Sequence, residues 1–288
     1  MVNKMVAGPS VQLIVKPAIN VAGLNTWVAE QELDEIASDP TTPLGRFVEG
    51  ANNGTTTGDE ISEFAGRFCY NSWRKGRDTQ SYIANIIESG HGSVLQHVNY
   101  GFAISGISRA LSHELIRHHA GTAPSQESQR YVNADEVRFV VPPILMQLWN
   151  NNLSCQEALD WLTHQEQCVE NYKAWRDYIV EGLKEEAGFG EELKPSTLKK
   201  RANEAARYVL PNAAETKIFW TTNVRALRNI IEQRGGDGAD LEIRRLAIEM
   251  LRVIESQAEH SFADIDTAPE GKPTDFGIER IEVAHSKV

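Results

Sequence analysis

Two clusters in this sequence combine arginines, histidines and side-chain amides in a way that could do chemistry. The first runs Glu114-Leu115-Ile116-Arg117-His118-His119 and resumes, after the eight positions 120–127, as Ser128-Gln129-Arg130-Tyr131. Arg117 and Arg130 carry planar forks that match a phosphate. Gln126, Ser128 and Gln129 carry neutral donors and acceptors suited to a base or a sugar edge. On residue types alone, a solvated helix end followed by a polar loop accounts for the segment equally well. The second cluster runs from Asn223 through Arg225, Arg228 and Asn229 to Arg234, with Arg207 in an Arg-Tyr-Val-Leu-Pro stretch upstream. A helix starting near Asn223 buries Ala226, Leu227, Ile230 and Ile231 and leaves Asn223, Arg225, Asn229 and Arg234 off the buried stripe. Ordinary surface arginines would give the same pattern.

Other chemistries fit less well. His113-Glu114 opens like a zinc-protease signature, but the position that needs a histidine holds Arg117. His118 lies five residues from His113 and off its helix face, so no metal site is expected. Ser128 near His113, His118 and His119 keeps a histidine-dependent hydrolase in view, although a serine nucleophile needs an adjacent base and an orienting group. The three cysteines (Cys69, Cys155, Cys168) are odd in number and form no Cys-x-x-Cys pair, which fits a reducing cytoplasm. Cys69, between Phe68 and Tyr70, is expected to be packed.

Elements must position these residues. Val11–Val15 reads as a strand, and residues 60–68 and 78–89 read as helices. Val98, Tyr100, Phe102 and Ile104 alternate with smaller or polar residues, the pattern of a half-buried strand. Ser108 is an N-cap for a helix to about His119. Residues 120–127 leave the helix, and Val137–Val141 reads as a strand. Apolar spacing predicts helices over 156–184, 198–208, 223–233 and 239–257, and a strand over 216–222. In the last helix Glu242 has a partner at Arg245, three residues on. Residues 38–58 are rich in turn formers and read as a loop. Residues 264–288, with Pro269 and Pro273, read as a loose tail. The fold class is mixed α/β of the α+β type, with a mixed or antiparallel sheet flanked by long helices and a single domain over 1–288. The formal net charge of −11 argues against a nucleic-acid binder. No apolar run approaches the roughly 20 residues that span a bilayer, and the first 30 residues lack a signal-peptide pattern.

At these residues the chain resembles the flavin-dependent thymidylate synthases. Their hallmark is an Arg-His-Arg triplet, a seven-residue spacer, then Ser-x-Arg-Tyr. Here the triplet is Arg117-His118-His119, with histidine third, and the spacer has eight residues. Upstream, the resemblance takes in His91-Gly92-Ser93-Val94-Leu95-Gln96-His97 and Ser108-Arg109-Ala110. Downstream, it takes in Arg207–Pro211, Asn223-Val224-Arg225, and Arg234 followed by Glu242-Ile243-Arg244. It covers about residues 65–250. The resemblance implies FAD contacts at His91, Ser93, Arg117, His118, His119, Gln126, Asn223, Arg225 and Asn229. It implies a dUMP pocket of Glu114, Ser128, Gln129, Arg130 and Arg207, with Arg234 against the uracil ring as the catalytic group. It further implies methylenetetrahydrofolate as carbon donor, NADPH as reductant and a homotetramer with shared active sites. A nucleotide- or flavin-binding relic without turnover is the alternative.

Overall fold

A computed structural model describes residues 2–185, 194–267 and 274–288. Pro269 and Pro273 lie outside the described residues. The chain opens with strands β1 (Met5–Val6) and β2 (Ser10–Val15), then five helices: α1 (Val21–Glu30), α2 (Asp34–Ala37), α3 (Pro43–Asn53), α4 (Gly58–Tyr70) and α5 (Thr79–Glu88). A 3-10 helix, Gly92–His97, leads into β3 (Asn99–Ser108) and α6 (Arg109–Leu115). β4 (Thr122–Gln126), β5 (Phe139–Val140), α7 (Pro143–Leu148), the long α8 (Gln156–Glu185) and α9 (Pro195–Ala206) follow. After a second 3-10 helix, Arg207–Val209, come β6 (Glu215–Asn223), α10 (Val224–Gly235), α11 (Leu241–Ile254), α12 (Glu259–Phe262), β7 (Ile265–Asp266) and β8 (Glu282–Val283). The fold is therefore mixed helix and sheet, as the patterning predicts.

The main sheet has the order β2-β3-β6-β4. Hydrogen bonds from Val224 N to Val98 O and from Arg109 N to Ala214 O make β3 and β6 antiparallel; Asn223 N to Gly121 O and Glu127 N to Lys217 O do the same for β6 and β4. Tyr100, Phe102, Ile104 and Ile107 of β3 are almost wholly buried. The alternation thus marks a central strand rather than one wet on one face.

The chain divides into two compact units. Unit 1 comprises residues 1–10, 104–117 and 125–219; unit 2 comprises 11–103, 118–124 and 220–288. In unit 1, Met5, Phe139, Val141, Met146, Leu162 and Val169 form a core under α8. In unit 2, Leu24, Val28, Leu44, Phe47 and Trp73 form one under the first four helices. There Phe47 and Phe64 stack at 4.4 Å between centroids.

Further expectations need correction. Residues 38–58 are not all loop: α3 occupies most of them. Thr42 caps it by accepting from Gly45 N, Pro43 sits in its first turn, and Gly54 ends it with φ 68°. The helix after Ser108 stops at Leu115, not near His119, and the Gly- and Pro-containing segment behind it is strand β4. Pairing with β6 overrides a composition that favours a loop. Cys69 is exposed rather than packed. Where the sequence suggests a loose tail, the described residues are held: Arg228 binds Asp264 through both terminal nitrogens, at 2.7 and 3.0 Å, and His285 N and Ala284 N donate to Asp264. Among the described residues no helix is long and apolar enough to cross a membrane.

Candidate functional site

The residues singled out above fall into two sets. Unit 2 holds His91, Ser93, His118, His119, Asn223, Arg225, Asn229 and Arg234; unit 1 holds Glu114, Arg117, Gln126, Ser128, Gln129, Arg130 and Arg207.

In unit 2 the organising element is α10. Asn223 caps it, its Oδ1 accepting from Ala226 N at 2.8 Å. Leu227, Ile230 and Ile231 seat its apolar stripe. Arg225 and Asn229 are left on the face that borders a cavity of about 510 Å³. Asn223, Gln96, Gly121 and Glu232 also line it. Gly121 has φ 73°, and a Cβ there would lie 2.3 Å from the Asn223 amide nitrogen. A larger residue would push Asn223 off its cap. The wall thus offers three side-chain amides and two arginines, of which Arg228 is paired with Asp264, a donor set suited to a heteroaromatic ligand that carries phosphate. That fits a flavin nucleotide.

The far end of α10 carries Arg234. Its Nε donates to His118 Nε2 at 2.9 Å. A guanidinium N–H can only donate, so His118 Nε2 must be unprotonated and any ring proton sits on Nδ1. His118 therefore fixes the plane of Arg234 without adding a charge of its own at that contact. His119 is exposed, as are Ser93, on the 3-10 helix that contributes Gln96, and His91, just before it.

In unit 1 the arginines are the feature. Arg130 pairs with Glu204 at 3.1 Å, and its buried Nε has no hydrogen-bond partner. Its backbone is held from below: Tyr172 donates to Asn203 Oδ1, and Asn203 Nδ2 donates to Arg130 O. Tyr172 and Asn203 are fully buried, so this prop is rigid. Ser128 Oγ accepts from Arg130 N within a turn, the geometry of a structural hydroxyl in a polar loop. Gln126 Nε2 donates to Thr216 Oγ1 at 3.1 Å. Arg117 is exposed just beyond α6, Glu114 lies on α6 and Gln129 on the turn.

Arg207 has a neighbour that sequence reasoning passed over. Burial pulls the half-buried Arg109 guanidinium below the usual arginine value, and the charge of Arg207 pulls it further. Two such cations side by side are costly alone, and an anion against them relieves both the repulsion and the desolvation. Arg109 was visible in the Ser108-Arg109-Ala110 motif, but there it reads only as the first residue of a capped helix. Gln96 was equally visible, inside the His91–His97 stretch. Among the described residues no group of three or more His, Cys, Asp or Glu is placed to hold a metal ion.

Comparison with known proteins places the chain in a family. The family model described as thymidylate synthase complementing protein matches residues 53–259. A flavin-dependent thymidylate synthase of Mycobacterium avium is 42% identical over 215 residues, covering 73% of this chain and 81% of its own length. That of Mycobacterium tuberculosis strain H37Rv is 42% identical over 213 residues, 73% of this chain and 80% of its own. That of Mycobacterium marinum is 42% identical over 237 residues, 81% of this chain and 86% of its own. Matched over most of its length at this identity, the chain belongs to the family of flavin-dependent thymidylate synthases.

Proposed function

We propose that the protein reductively methylates dUMP to dTMP, with FAD as cofactor, methylenetetrahydrofolate as carbon donor and NADPH as reductant. The observation that carries this reading is α10. One helix bears cavity-lining Asn223, Arg225 and Asn229 and also Arg234, locked by His118. Asn223, Arg225 and Asn229 would hold FAD, joined by His91, Ser93, Arg117, His118, His119 and Gln126. Bound FAD supplies the hydride-transfer chemistry that no side chain here can perform.

The remaining work belongs to the chain. Uracil C5 is a weak nucleophile, and negative charge spreads toward the ring oxygens as it attacks a one-carbon unit. Arg234, permanently cationic and oriented by His118, stabilises that charge. Arg207 and Arg109 take the nucleotide phosphate. Arg130, on its buried Tyr172–Asn203 prop, holds the nucleotide with Ser128, Gln129 and Glu114. Active sites shared among the subunits of a homotetramer, in the cytoplasm, complete the proposal.

The test is direct. Purified protein should carry or take up FAD, seen in its visible absorbance, and should form dTMP from dUMP, methylenetetrahydrofolate and NADPH. Bound flavin with no dTMP would leave a relic that kept the site and lost turnover. A chain that takes up no FAD would end the reading.

A further inference from the structure

The loop between α4 and α5, residues 71–78, carries Arg74, Lys75 and Arg77 in a chain whose net charge is −11. All three are exposed, and among the described residues none of their side chains has an ion pair or a hydrogen bond. The loop is built from below. Trp73 is buried in the unit 2 core, with its ring 5.4 Å from that of Trp27. The Arg67 guanidinium, buried and fixed by Glu63 at 2.6 Å, donates to Ser72 O at 3.2 Å and to Arg77 O at 2.8 Å. Arg46 also donates to Arg77 O, at 3.3 Å. Gly76 lets the loop close on the guanidinium, for a Cβ there would lie 2.4 Å from Arg67 Nη1. The backbone is held while the three cationic side chains are left to solvent.

The charges around the loop do not cancel them. Beneath it, Arg46 and Arg67 stand against Glu60 and Glu63 around one small hollow, which leaves the seat balanced. Two acids at its margin are already bonded: Asp78 caps α5 by accepting from Ser81 N, and Asp39 accepts from Thr41. Even with both counted, the three cations are in excess. The loop also lies beside an element of the cofactor cavity. Gly66, next to Arg67 on α4, packs on Val94, where a Cβ would lie 3.3 Å from Val94 Cγ1. Val94 shares its 3-10 helix with Gln96 of the cavity wall.

We propose that loop 71–78 is a docking surface for the γ-glutamyl chain of the folate carbon donor. This rests on the proposed function, which supplies the folate. Folates in cells carry chains of γ-linked glutamates, with a free carboxylate on each. Neighbouring positions of a loop spread their charges along it rather than around one point, which suits a row of carboxylates better than a single phosphate. Exposed ion pairs are weak singly. Once the pterin is seated each tail contact is intramolecular, so several weak pairs add.

The experiment compares monoglutamyl and pentaglutamyl methylenetetrahydrofolate as substrates of wild-type protein and of the triple variant Arg74→Gln, Lys75→Gln, Arg77→Gln. The substitutions spare every backbone contact that holds the loop. Wild-type protein should show a KM about tenfold lower for the pentaglutamate, the sum of a few exposed pairs, and high salt should erase most of that gap. The triple variant should lose the preference while its KM for the monoglutamate and for dUMP stays the same. Equal KM values in the wild type would overturn the proposal, as would a preference that survives in the triple variant. Should neither folate yield dTMP, the functional reading itself falls. Titration with free penta-γ-glutamate, which has no pterin, then decides the loop: binding by wild type that the triple variant loses supports the docking surface, and no binding by wild type overturns it.

Discussion

The two units prepare for a ligand in opposite ways. In unit 2 the polar groups are already tied: Asn223 and Arg225, on the cavity wall, to the first turn of α10 and to Val288, and Arg234, away from that wall, to His118. In unit 1 the charge of Arg207 opposes that of the half-buried Arg109, and Arg130, paired with Glu204, keeps a buried Nε that lacks a partner. The first arrangement is preorganised, and it costs little to fill. In the second, an anion would relieve the opposition between Arg109 and Arg207. Under the proposed function the contrast suits a resident cofactor held mainly by residues of unit 2 and a substrate, which comes and goes, held mainly by residues of unit 1. Arg117 and Gln126, unit 1 residues proposed for the cofactor, depart from this division, and its main exception is Arg234, proposed for the substrate but set in the tied surroundings of unit 2.

The sharpest way to break the comparison is at that exception. Arg234→Ala should cut dTMP formation by ~10²–10³-fold while FAD remains bound, read as product formed alongside flavin absorbance. Lost FAD binding would return Arg234 to the cofactor's set. Next in size, Arg109→Ala should raise the KM for dUMP by about 10–100-fold and leave the flavin spectrum unchanged. A flavin defect instead would erase the division of labour. Gly121→Ala should weaken FAD and lower the thermal midpoint, because the left-handed backbone alone costs ~1–2 kcal/mol and the new Cβ displaces Asn223. Its KM for dUMP should hardly move.

The smallest effect concerns pH. Burial alone would raise the Asp264 carboxyl, but the hydrogen bonds and charge of Arg228 outweigh it and hold Asp264 below the ordinary aspartate value. A depressed aspartate stabilises the fold above its unfolded pKa of about 3.9, and the stabilisation is lost as pH falls through the lower folded value. Acid unfolding of wild-type protein should therefore steepen below about pH 4, and Asp264→Asn, already lacking that contribution, should show a shallower slope there. Equal slopes would remove Asp264 from the account.

How much of this was legible depended on whether the signal was local. α8 and α10 follow from apolar spacing, and the cap at Ser108 follows from residue type. α3 was hidden because its flanks are rich in turn residues, although Thr42-Pro43 marks its start. β4 was hidden because its partner β6 lies about ninety positions away. The same distance concealed what binds what. Arg234 and His118 were both singled out, yet nothing local says they touch.

Asn223 and Arg234 bracket one straight helix, so about 16 Å separates them at 1.5 Å per residue. α10 thus acts as a ruler. Inserting a single residue within it would swing Arg234 about 100° around the axis and away from His118. Natural variation in this enzyme should therefore tolerate changes of face along α10 but not changes of its length.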